Sequence, residues 1–163
     1  MKRILILCLF VVCLNMYSTA QDYKTGVGFR GGTQNGLSVK HFFSEHSAME
    51  GIVSTRWNGF YAIGLYEWHG IYFDVPGFNW AYGVGAHIGF LGGNNSRFDD
   101  NKNHTVAGAD FLFGLEYKFN GAPISIGLDW KPQADFIGGT YFIWDDAAFT
   151  IRFTFPAKTS STE

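Results

Sequence analysis

Along most of this chain apolar and polar residues change places at every second position. The clearest instance is residues 78–90, where Trp80, Tyr82, Val84, Ala86, Ile88 and Phe90 alternate with Ala81, Gly83, Gly85, His87 and Gly89. Side chains on a β-strand point to opposite faces in turn, so this pattern predicts a strand with one aromatic face. A helix, with its 3.6-residue period, does not produce it. Residues 147–155 repeat the pattern, with Phe149, Ile151, Phe153 and Phe155 set against Ala148, Thr150, Arg152 and Thr154.

Eight strands are predicted in all: 23–31, 37–43, 49–57, 60–68, 78–90, 106–119, 124–131 and 147–155. Turn signals separate them. Gly32-Thr33-Gln34-Asn35-Gly36 is one, Asn58-Gly59 is a two-residue hairpin signal, and Asn120-Gly121-Ala122-Pro123 is a tight turn. Residues 91–105 and 132–146 read as long polar loops, whereas 69–77 is long for a turn on the opposite rim. In the fourth strand the period is blurred: Tyr61, Ile63 and Leu65 form one set and Ala62, Gly64 and Tyr66 the other.

The faces differ in kind. The polar face collects Lys24, Arg30, Lys40, Glu50, Arg56, Asp110, Glu116, Lys118, Asp129, Lys131 and Arg152, interleaved with glycines that include Gly26, Gly28, Gly64, Gly83, Gly85 and Gly127. Glycine weakens a strand and gives nothing to pack, so a water-facing surface has no reason to gather it. Inside a narrow barrel it makes room for long Arg and Lys chains from neighbouring strands. The expected architecture is therefore all-β, an eight-stranded antiparallel up-and-down transmembrane β-barrel with its apolar face outward. Trp57, Tyr61, Trp80, Tyr117 and Trp130, near strand ends, are expected in interfacial girdles. A lipocalin-like carrier would use the opposite orientation, apolar face inward around a ligand.

Composition agrees with a barrel: 17 Phe, 8 Tyr, 5 Trp and 21 Gly among 163 residues, with no run after residue 20 apolar enough for a membrane helix. Residues 1–20 read as an export signal. Lys2 and Arg3 precede an apolar run over 4–14, and Ser18-Thr19-Ala20 supplies small residues before a cleavage site at Gln21. Cys8 and Cys13 both lie in that segment, so the mature chain is expected to hold no disulfide or thiol-bound metal. The division is signal peptide 1–20, barrel 21–155 and a short polar tail 156–163. Of 12 Lys and Arg, removal of Lys2 and Arg3 leaves 10 against 14 acidic residues, which offers no basic patch for nucleic acid.

On these residues the chain resembles the small eight-stranded outer-membrane barrels of Gram-negative bacteria, the OmpA/OmpX-like architecture, from residue 21 to 155. In that class the last strand carries alternating aromatics ending in Phe, read by the barrel assembly machinery. Phe149, Ile151, Phe153 and Phe155 match that assembly signal, although Pro156 to Glu163 follow it here. The resemblance implies Sec-type export, residence in the cell outer membrane, and contact with outer-membrane lipids and the assembly machinery.

Candidate chemistry centres on the inward charges. Arg30, Lys40, Glu50, Arg56, Asp110, Glu116, Asp129, Lys131 and Arg152 are expected to pair across the lumen, because an eight-stranded barrel leaves little space once side chains enter it. Asp99-x-Asn101-x-Asn103, with Asp110 further on, imitates a calcium loop, but His104 stands where such a loop needs Gly. His41, Ser44 and His46 lie together without a hydrolase signature. The expectation is a structural or surface-interaction protein, not an enzyme, with no catalytic residues, metal or cofactor, an extracellular ligand at the long loops and no nucleic acid. A lipid-modifying enzyme is the alternative from another class.

Overall fold

The computed structural model describes residues 23–71, 75–95, 97–98 and 100–156. The expected export signal, residues 157–163 of the tail and Asp99 of the calcium-like loop lie outside them. Ten strands are described: β1 (Tyr23–Gly32), β2 (Asn35–Ser44), β3 (Ser47–Arg56), β4 (Gly59–Ile71), β5 (Phe78–Leu91), β6 (His104–Lys118), β7 (Ile124–Trp130), β8 (Gln133–Ile137), β9 (Tyr141–Ile143) and β10 (Ala147–Pro156). Eight of them close a ring in the order β1-β2-β3-β4-β5-β6-β7-β10, with β10 pairing back onto β1 and every neighbour antiparallel. The result is a closed eight-stranded barrel.

The remaining two strands correct the reading of 132–146 as a loop. β8 continues the line of β7: β7 pairs with the lower part of β6, from Lys118↔Ser125 to Phe113↔Trp130, and β8 with its upper part, from Asp110↔Gln133 to Ala107↔Ile137. β9 folds back on β8. The break between β7 and β8 falls at Pro132, which has no N–H to give a ladder. Its carbonyl still accepts from the Phe111 N–H at 2.9 Å, and the Lys131 N–H reaches the Asp146 carbonyl at 2.7 Å.

Three strand details also differ from expectation. A β-bulge between Tyr23 and Thr25 shifts the start of β1 by one position. Such a bulge sets two residues against one and reverses the alternation, so Tyr23 is buried and Lys24 is exposed. The β3–β4 turn is centred on Trp57 and Asn58, with φ of 52° and 56°, and not on Asn58-Gly59. Gly59 already pairs with Arg56. β4 runs on to Ile71, so the connection to β5 is 72–77, and the apparent misfit of 69–77 came from ending that strand too early.

Outward positions are apolar around the ring. Val27, Phe29, Leu37, Val53, Val84, Phe113, Leu128 and Ile151 are exposed, Phe29 by 74%. Tyr66, Trp68, Tyr82 and Trp80 form a chain of ring contacts 4.8 to 5.3 Å apart on the outside of β4 and β5. β4 corrects the expected faces. Pairing of Ile52 with Ile63 and Glu50 with Leu65 puts Tyr61, Ile63 and Leu65 inside and Gly64 outside. Tyr61 is therefore no girdle residue. With Ile52, Ala81, Leu91, Val106 and Leu112, these side chains make an apolar inner wall along β3 to β6.

Candidate functional site

Alongside that apolar wall, and partly from the same strands, the interior holds two clusters of charge. The first lies toward the chain termini. Lys40 on β2 places its Nζ 2.8 Å from Glu67, 3.2 Å from Glu116 and 3.4 Å from Glu50. Arg152 on β10 pairs with Glu50 and, at 3.5 Å, with Glu116. Ser38 donates to Glu50 at 2.5 Å and accepts from Arg152 Nε at 3.0 Å. Tyr23, turned inward by the bulge, donates its hydroxyl to Glu116. Its ring meets Phe42 edge-on at 5.1 Å, and Phe42 meets His69 at 4.8 Å, so three rings line this end of the interior.

Toward the loops lies the second cluster. Arg30 pairs with Asp129 at 2.5 Å and Asp146 at 3.2 Å, and Lys131 with Asp146 at 2.9 Å and Asp110 at 3.2 Å. His87 bridges Asp110 through Nδ1 at 2.8 Å and Asp135 through Nε2 at 2.6 Å. A neutral imidazole has a single N–H, so two ionised carboxylates are both served only by the imidazolium. Arg97, from the β5–β6 connection, closes the group by pairing with Asp135. A chain of amides, Gln34 to Gln133 at 2.7 Å and Gln133 to Asp110 at 2.6 Å, ties the β1–β2 turn to it.

The two clusters share a charge pattern. The first sets Lys40 and Arg152 against Glu50, Glu67 and Glu116, and the second sets Arg30, Arg97 and Lys131 against Asp110, Asp129, Asp135 and Asp146. Each has one carboxylate more than it has Lys and Arg, and each has a histidine hydrogen-bonded to a carboxylate, His69 to Glu67 and His87 to Asp110 and Asp135. Charges withdrawn from water are tolerated only when they are paired in this way. Between the clusters, a cavity of about 20 Å³ touches Lys40, Glu116, Asp129 and Arg152, room for about one water molecule. The side chains thus fill the interior at this level.

Of the nine charges expected to pair across the lumen, eight lie in these clusters. Arg56 stands apart at the rim, where its Nη2 meets both Asp145 oxygens at 2.9 Å and its guanidinium lies 3.9 Å above the Trp57 ring. Lys118, the last residue of β6, turns its side chain onto the β6–β7 turn, donating to the carbonyls of Phe119 and Ala122. Sequence reasoning missed Glu67, His69, Asp135, Asp146 and Arg97, because Glu67 lies on the blurred strand, His69 just beyond its expected end, and the others fell in supposed loops. A signal for His87 was present, since it belongs to the inner set of its strand.

The other candidates fall away from these clusters. Asp110 is turned into the barrel and takes no part in the calcium-like loop; there, His104 and the Lys102 N–H hold the Asp100 carboxyl below its ordinary value. His41 bonds Thr25 at 2.8 Å, while Ser44 only accepts from the His46 N–H at 3.3 Å. Phe149, Ile151, Phe153 and Phe155 line the outer face of β10, each paired with β1. Among the described residues no group of His, Cys, Asp and Glu side chains forms a metal site, and no helix is long and apolar enough to cross a membrane. No family model, curated protein or solved structure matches this chain.

Proposed function

We propose that this chain is an integral outer-membrane β-barrel with a structural or surface-interaction role, its interior plugged by paired charges. The observation that carries this reading is the inversion of its two faces: apolar and aromatic side chains outside, ion pairs inside. In water this arrangement wastes the hydrophobic effect, whereas in a bilayer it satisfies both solvents. Strand length agrees. The ten residues of β1, β2 and β3 rise about 33 Å along the strand, which at a tilt of about 40° covers a band of about 25 Å.

In this setting the lipids of the outer membrane contact the apolar band, and the barrel assembly machinery reads the alternating aromatics of β10. The rim carrying the 92–103 connection and the β8–β9 hairpin faces the exterior, where Phe136, Phe142 and Trp144 stand exposed for a surface partner. The cavity between the two clusters, about 20 Å³, is far smaller than the roughly 300 Å³ or more that a ligand carrier needs. No catalysis is assigned to this chain.

Cell fractionation combined with heat-dependent mobility on a denaturing gel tests the reading. The mature chain should sediment with outer membranes and migrate faster unheated than boiled. Recovery from the soluble periplasm would overturn it.

A further inference from the structure

At the loop-side mouth of the barrel Arg97 is held among aromatic rings, one of which, Trp57, also carries Arg56. The Arg97 guanidinium lies 4.4 Å from the centre of the Tyr141 ring, 5.0 Å from Phe98 and 5.9 Å from Trp57. Trp57 and Tyr141 meet edge to face at 6.3 Å. The rings come from three separate segments, the β3–β4 turn, the 92–103 connection and β9. Beneath them Asp135, fully buried, pairs with Arg97 and gives its other oxygen to His87. Ring faces around a cation with a carboxylate at the base are the means by which proteins recognise organic cations.

Here the chain supplies the cation from a connection that is bonded largely to itself. Asn95 Oδ1 accepts from the N–H groups of Arg97 and Phe98, Asn95 Nδ2 donates to the Gly92 carbonyl, and Asn103 accepts from the Gly93 N–H. Arg97, with its side chain only 5% exposed, is the member of that segment inserted into the cage. Tyr141 remains 47% exposed, so the cage opens to the outside on that flank. We propose that the mouth is a receptor site for a guanidinium group of an external ligand, and that Arg97 is its resident occupant, withdrawn when the ligand enters. A planar guanidinium fits because it lies against ring faces while one of its nitrogens meets the Asp135 oxygen that His87 leaves over. The site holds whether or not the barrel lies in a bilayer, so its failure and that of the membrane reading are separate results.

Methylguanidinium is the probe, titrated calorimetrically into the refolded full-length chain in detergent against potassium chloride of equal ionic strength. Arg97→Ala should bind one probe per chain about tenfold or more tightly than the wild type, since the variant lacks the resident guanidinium beside Tyr141 and Phe98, with Arg56 staying on the Trp57 ring. Addition of Asp135→Asn to that variant should abolish the binding. In the wild type, the side-chain N–H resonance of Arg97 should move to the position of a solvent-exposed arginine at millimolar probe, a measurement that does not depend on the variants folding. A folded Arg97→Ala that binds no more tightly than wild type, binding indifferent to Asp135→Asn, or an unmoved Arg97 resonance would each overturn the proposal and leave Arg97 as a brace of the mouth.

Discussion

A methyl group added at Gly28 would lie 2.0 Å from the Ile151 carbonyl oxygen and 2.7 Å from Arg152 Cα, both on the neighbouring strand. At Gly64, on the outer face, it would meet nothing within 4 Å. Gly28→Ala should therefore cost about 2 kcal/mol or more through overpacking of backbone. Gly64→Ala should be neutral or stabilise by up to about 1 kcal/mol, because glycine in a strand gives up more chain entropy than alanine. Urea unfolding of the refolded protein followed by tryptophan emission measures both. Adjacent aspartates offer a second contrast. Asp146, wholly buried between Arg30 and Lys131, should cost about 3–5 kcal/mol when changed to Ala, since two buried cations lose a partner. Asp145, half exposed on Arg56, should cost less than about 1 kcal/mol.

Strands show what the sequence could and could not reveal. Where the two faces differ in polarity, as on β5, β6 and β10, alternation alone put Asp110, Glu116 and Arg152 inside and the aromatic set outside, with Lys118 at the end of β6 the exception. On β4 both faces are apolar, Tyr61, Ile63 and Leu65 inward and Phe60, Tyr66 and Trp68 outward, and a period with no contrast carries no direction. The bulge at Tyr23 was invisible because it depends on pairing with β10, a segment remote in the chain. Asp135 and Asp146 were hidden by Pro132 and the surrounding Gly and Asp residues, which read as loop although the backbone returns to the ladder beyond them. Val84 and Leu128, exposed on β5 and β7, test the orientation itself. Val84→Arg or Leu128→Arg should weaken folding into lipid vesicles by about 2–4 kcal/mol if the site faces hydrocarbon near the midplane. Unchanged folding titrations would contradict an outer face in contact with lipid.

Taken whole, the proposed plug has several levels: the rings of Tyr23, Phe42 and His69, the two ion-pair clusters, and Arg97 at the mouth. Reconstituted in planar bilayers the protein should give little or no steady conductance, and stable large single-channel currents would refute the plugged interior. The ring also has one join of a different kind. β1 and β10, from opposite ends of the chain, meet along Thr25↔Phe155 to Gly32↔Ala148, while every other pair of barrel neighbours is consecutive or joined through the β8–β9 hairpin. Bringing remote segments together costs chain entropy before any contact rewards it. That seam should be the last to zip on the folding route, and until then two unpaired strand edges stand open to the wrong partner. The window of vulnerability to aggregation is therefore as long as the search of the two ends for one another, and any factor that holds them side by side should shorten it.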